Sequence, residues 1–280
     1  MTKNPIEVTE FRGFPEGYQR RRQLCKEFSR LLASDIDALV IDARPGIGAT
    51  SICAEYLEDL DEPGIMLTVH AGSRAGYSIS YLLEQALRQA YLLLGETPRQ
   101  SSFENLPSEW HRVLTKVQRR VRSGRQRLHL IIDGLYQIPS DDDRYLQDVV
   151  REVLFLGNPD IKHVLTWKEG PNIPSFLGKV KVRRAHLSPL SDIEATQFLS
   201  SNGVGKDWIP EIIASTGCVP AKLASVVRLH KLGVLDKLRL GDSLAQYYEL
   251  EWAASLSALD IPRETIETAF AFLVPDSKGV

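Results

Sequence analysis

The chain has 280 residues and a formal net charge of −2, which is room for one large domain or two to three small ones. No apolar run approaches the roughly 18 residues that span a bilayer, and the polar start Met1-Thr2-Lys3-Asn4-Pro5 does not read as a signal peptide. Cys25, Cys53 and Cys218 are odd in number, widely spaced and without metal-ligand spacing, so reduced thiols in a cytoplasmic protein are expected.

Residues 1–17 are rich in Gly, Pro and charge and are expected to form an arm. Tyr18-Gln19-Arg20-Arg21-Arg22-Gln23-Leu24 then leads into an amphipathic helix through Phe28, Leu31 and Leu32. Ala38-Leu39-Val40-Ile41 has the length and β-branching of a buried strand. A turn, Pro45-Gly46-Ile47-Gly48, follows it, and a helix pattern runs from Thr50 to Leu60. Strand, glycine turn, helix is the context of a phosphate-binding loop. Glycines let backbone N–H groups approach an anion, and the helix aims its positive end at the same point. Set on G-x-x-x-x-G-K-[ST], however, the first glycine is Ala43 and the lysine is Ala49.

Ile65 to His70 reads as a second buried strand, and Ser78 to Leu94 repeats apolar residues at helical spacing. After a Ser/Pro-rich loop, a helix from Glu109 to Val121 carries Arg112, Lys116, Arg119 and Arg120, continued by Arg122, Arg125 and Arg127. These read either as a solvated helix face or as a partner or nucleic-acid surface, against which the near-neutral net charge weighs. Leu128-His129-Leu130-Ile131-Ile132-Asp133-Gly134 is an apolar strand ending in a carboxylate, the form of a Walker B segment. Together with Thr50, such an Asp133 would hold Mg²⁺ beside the phosphates. A helix over Arg144–Leu156, a strand over Ile161–Thr166 and an outer strand over Val180–Leu187 complete an α/β pattern, which implies a mainly parallel sheet with ligands at the strands' carboxyl ends. Thr166 stands where such folds place a polar residue that senses the terminal phosphate. From Leu187 onward the pattern turns helical: Ile193–Leu199, Trp208–Ser215 and Pro220–Leu232, with two further helices over Leu244–Leu256 and Arg263–Leu273.

These pieces, in this order, resemble the STAND branch of P-loop NTPases, signalling ATPases that include NACHT and NB-ARC modules. The carriers are Tyr18 to Leu24, like the family's arginine-bearing motif; Pro45 to Thr50; Ile131 to Leu135; Thr166 to Lys168; Leu187 to Ser191; and Gly217 to Pro220. The resemblance implies an AAA+/STAND-like α/β domain over 18–187, a helical lid over 188–240 and the start of a winged helix over 241–280. This chain is then a natural short form or a piece of a longer protein. It also implies ATP or ADP with Mg²⁺ on Arg20, Arg21, Arg44, Pro45, Gly46, Ile47, Gly48, Ala49, Thr50, Ser51, Thr166 and Pro220, the last packing near the adenine.

The departures fall on catalytic positions. Ala49 replaces the lysine that neutralises β- and γ-phosphate charge. Tyr136 stands where the family's second Walker B acid polarises the attacking water, and Lys168 is the nearest cation to the absent sensor arginine. No residue is therefore assigned as catalytic, with Asp133 the candidate if the chain turns nucleotide over. The expectation is a non-hydrolysing scaffold that works through a protein partner or its own oligomer, with defence signalling as the role the resemblance implies. Two alternatives stand beside it: a working switch in which Arg44 or Arg20 replaces the lysine, and a nucleic-acid-binding regulator. Cys53 reads as a packed residue. His70, His129, His163 and His186 read as core or strand-end residues, since no two share a ligand spacing.

Overall fold

A computed structural model describes residues 11, 13–69, 78–98, 103–138, 148–168, 170, 177–233, 235 and 244–259. Outside the described residues fall His70, the arm up to residue 10, the start of the Arg144–Leu156 helix and the Arg263–Leu273 helix. The chain divides into two compact units, Met1–Phe14 with Arg20–Leu187, and Pro15–Gln19 with Ser188–Val280.

In the first unit, β1 (Ala38–Ala43), β2 (Gly64–Thr68), β3 (Leu128–Asp133), β4 (Ile161–Lys168) and β5 (Val182–His186) form one sheet in the order β2-β3-β4-β1-β5. All its pairings are parallel, and α1 (Arg22–Ala33), α2 (Ala49–Asp59), α3 (Ile79–Leu94) and α4 (Leu106–Ser123) cover it. The expected α/β P-loop NTPase architecture is the one the chain forms. β1, β2 and β3 are buried along their whole length, because helices on both faces leave no solvated side. Alternation sorts each strand between two cores. Val40, Ile65, Leu67, Leu130 and Ile132 join α3 and α4 on one face. Leu39, Ile41, Met66 and Ile131 join α1 and α2 on the other. β5 lies at the edge and is half-exposed, as an outer strand should be.

β2 forms the opposite edge, and its backbone groups are answered by side chains. Gln89 on α3 accepts from Met66 N–H at 2.9 Å and donates to Met66 O at 2.7 Å. Gln85, one turn earlier, does the same for Thr68 at 2.9 and 3.0 Å. Both amides are fully buried. The sequence shows these glutamines only as two polar residues in a helix, yet each pairs with a strand residue as a neighbouring strand would.

Where a helix over Arg144–Leu156 is expected, the described part ends in a single π-helical turn, Val150–Leu154, closed by Phe155 at φ 50°. The second unit holds α5 (Asp192–Ser201), α6 (Ile209–Thr216), α7 (Pro220–Lys231) and α8 (Leu244–Leu259). Ser191 and Glu194 form a capping box at the start of α5. Pro15–Gln19 belongs to this unit for a local reason: Asn202 Nδ2 donates to Glu16 O at 3.2 Å, and Lys231 pairs with Glu16.

Candidate nucleotide site

β1 hands the chain to α2 through the loop Arg44–Gly48. Ile47 N–H donates to Arg44 O at 3.2 Å, which closes the turn. Gly46 and Gly48 sit at φ 80° and 90°, left-handed values that side chains disfavour. Gly48 is the N-cap of α2, with no side-chain cap on the helix's first N–H groups. Ala49, Thr50 and Ser51 form that first turn, so its donors and its positive dipole end face the loop. Gly46, Gly48 and the first turn of α2 thus make up the candidate anion-facing backbone, at the carboxyl end of the strand that β4 and β5 flank, while Pro45 has no N–H and that of Ile47 is given to Arg44 O.

Three predicted residues meet at one point. Thr50 Oγ1 donates to Asp133 Oδ2 at 2.5 Å. Thr166 Oγ1 donates to Asp133 Oδ1 at 2.9 Å and accepts from Gly134 N–H at 2.7 Å. β4 lies between β1 and β3, so Thr166 bridges the Walker B carboxylate and its own strand end. A hydroxyl has one hydrogen, and that of Thr166 is given to Asp133. In this state Thr166 positions the carboxylate and has no hydrogen left for a terminal phosphate. Gly134 is at φ 94°, and a Cβ there would lie 2.5 Å from Val69 O, so the turn after Asp133 demands glycine. Tyr136 follows in the 3₁₀ turn Leu135–Gln137 and packs half-buried against the α1–α2 core. It supplies no carboxylate.

The displaced-cation candidates divide. Arg20 bonds Glu58 on α2 at 2.7 Å, lies 4.8 Å over the Phe14 ring, and is raised in pKa by the Glu58 hydrogen bond. Glu58 is eight residues beyond Thr50, about 12 Å along the helix, so Arg20 is held away from the loop. Arg21 gives its backbone N–H to Glu55 at 2.9 Å. Arg44 is exposed beside Pro45. Lys168 is exposed and, at the end of β4, directly opposite Ala43, which brings it to the loop's entrance. Pro220 opens α7 in the second unit.

Sequence reasoning missed one cluster here. Buried Asp42, just before the loop, binds Arg184 and, at 2.7 Å, His186 Nδ1. The β1–β5 register places His186 opposite Asp42. The alternation Arg184-Ala185-His186 is its signal in the sequence. The Arg184 guanidinium offsets a carboxylate that would otherwise repel phosphate.

Elsewhere chemistry is suppressed. Burial pushes the Cys25 thiol up to about 12 and that of Cys218 to about 11, and it raises Cys53 well above its ordinary value. None is a thiolate at neutral pH. His163 is fully buried between the carbonyls of Leu154 and Asp37, its pKa lowered by that burial. The basic run of α4 is largely answered within the chain: Arg112 by Glu109, Lys116 by Glu96 at 2.8 Å, Arg120 by Leu94 O at 3.2 Å and Arg122 by Asp160 at 2.6 Å. Among the described residues no helix is long and apolar enough to cross a membrane.

No known family profile and no curated protein matches the chain. Among solved structures it is similar to a Walker-type ATPase of Pyrococcus abyssi, over 86% of this chain and 74% of that one, at 14% identity and a TM-score of 0.58. At this identity the likeness speaks for the fold: an α/β P-loop NTPase architecture.

Proposed function

We propose that this chain is a STAND-like signalling scaffold that keeps the frame of a nucleotide switch without turning nucleotide over. The observation that carries the reading is the paired loss at Ala49 and Tyr136 beside a loop that keeps Pro45-Gly46, Gly48 and Thr50. Thr50 and Asp133 offer hard oxygen donors and fit Mg²⁺; they are the residues that would hold it, and it would offset phosphate charge when bound. Without the lysine, phosphate binding loses one charge-assisted contact, roughly 1.5–3 kcal/mol or about 10–150-fold. Hydrolysis loses more, because it also needs a group that orients water and stabilises transition-state charge. ATP or ADP is then a weak structural ligand, and the output is contact with a protein partner or a second copy. Defence signalling in the cytoplasm is the role in keeping with the resemblance. Titration calorimetry with ATP and Mg²⁺, run beside a phosphate-release assay, tests this. The expected result is weak binding without release, and steady release abolished by Asp133→Ala would refute it.

A working ATPase is the second reading, favoured by Lys168 opposite Ala43. It requires that Lys168→Ala abolish release and that Ala49→Lys change little.

A further inference from the structure

β2 carries apolar side chains until its last residue. Ile65, Met66 and Leu67 are followed by Thr68, which is 5% exposed, and its Oγ1 is buried without a hydrogen-bond partner among the described residues. Valine has nearly the same shape and the same branching at Cβ, so strand packing alone gives no reason for the oxygen. A buried hydroxyl with no partner destabilises a fold. In native proteins such groups are met by protein or by ordered water.

Strand register places this hydroxyl. Met66 pairs with Ile131, and Thr68 pairs with Asp133. Met66 and Ile131 both belong to the α1–α2 core, and side chains two residues further on return to the same face. Thr68 and Asp133 therefore stand side by side on the face that α2 covers, on strands about 4.8 Å apart. The sheet order sets Asp133 between β2 and β4. From β4, Thr166 bonds one carboxylate oxygen; from α2, Thr50 bonds the other. Thr68 is the third hydroxyl beside this carboxylate.

The backbone holds Thr68 in that place. Gln85 takes both its N–H and its C=O, at 2.9 and 3.0 Å. The next N–H, that of Val69, donates to Asp133 O at 2.8 Å. These bonds tie the end of β2 to the Walker B residue.

We propose that Thr68 is a further positioning residue of the divalent-cation site, its hydroxyl holding a water of the hydrated Mg²⁺ that Thr50 and Asp133 would bind. The proposal rests on the nucleotide reading given above. Mg²⁺ dehydrates reluctantly and keeps several of its waters in sites of this kind. A group that orients those waters supports the ion without touching it. A hydroxyl is suited to the task, since it donates one hydrogen and also accepts.

The test is calorimetric titration of ATP into the full chain, once with Mg²⁺ and once with EDTA, beside thermal melts of the free protein. Thr68→Val is expected to weaken ATP binding in Mg²⁺ by about fivefold or more. It should leave binding in EDTA as it was and should not lower Tm. Thr68→Ser restores the hydroxyl and should recover most of the affinity. A purely structural threonine behaves in the opposite way, with Tm lowered and the Mg²⁺ dependence unchanged. That result overturns the proposal, as does an equal loss in both buffers or parent binding that gains nothing from Mg²⁺; each leaves the nucleotide reading standing. No ATP binding by the parent in either buffer overturns both.

Discussion

Replacing Thr166 with valine keeps the shape of a fully buried side chain and deletes one hydroxyl. That hydroxyl makes a bond to Asp133 at 2.9 Å and receives one from Gly134 N–H at 2.7 Å. The first is charge-assisted, and its loss costs about 1.5–3 kcal/mol. The second loss leaves a buried N–H without its acceptor, about 1–3 kcal/mol more. Partial relaxation brings the expected cost of Thr166→Val to about 3 kcal/mol, or about 6–12 °C in Tm for a domain of this size. Urea unfolding followed by tryptophan fluorescence measures it without nucleotide, and Thr166→Ser should recover most of the loss. A cost below about 1 kcal/mol, with nucleotide affinity falling instead, would refute the positioning role and return Thr166 to phosphate sensing.

Gly134→Ala should destabilise by about 3 kcal/mol or more, since it combines a left-handed backbone with a Cβ 2.5 Å from Val69 O; equilibrium unfolding reads this, and a cost under about 1 kcal/mol contradicts the geometry. Gln89→Leu strips both partners from Met66 and should cost about 2–4 kcal/mol in urea unfolding, where a neutral result would mean the β2 edge needs no partner. His163 gives a pH dependence. Its folded pKa lies below its ordinary 6.5, so the unfolded chain takes up a proton first as pH falls. Stability is intact above that value and declines below it by up to about 1.4 kcal/mol per pH unit. His163→Gln should flatten the slope between pH 6.5 and 5; an unchanged slope would assign it to other groups.

Much of this was legible in the sequence where local pattern and function coincide. Apolar runs of strand length, separated by helical periodicity, implied a parallel sheet. The glycines of the loop, Thr50 and Asp133 were readable because each is demanded by backbone geometry or charge at a fixed spacing. What escaped depends on register between distant segments. His186 reads as a strand-end histidine until the β1–β5 pairing sets it against Asp42, with Arg184 beside it and 142 residues from that carboxylate in sequence. The basic residues of α4 look like a surface until Glu96 and Asp160, 20 and 38 residues away, are found bonded to them. Arg20 read as a cation available to the loop because sequence does not show that Glu58 holds it elsewhere. Thr166 was placed correctly on its strand, but the direction of a hydroxyl hydrogen is a property of its neighbours.

The two glutamines of α3 limit what this sheet can become. Four residues of helix advance about 6.0 Å and two of strand about 6.6 Å, so Gln85 and Gln89 meet Thr68 and Met66 almost in step. The helix thereby acts as a sixth strand that offers no further edge, and the mismatch of about 0.6 Å per repeat would spoil the fit over a longer run. A short β2 is what makes the substitution workable. Recruitment by β-strand addition is closed on this flank, so an assembly of such chains has to be built from helical surfaces or from the β5 side.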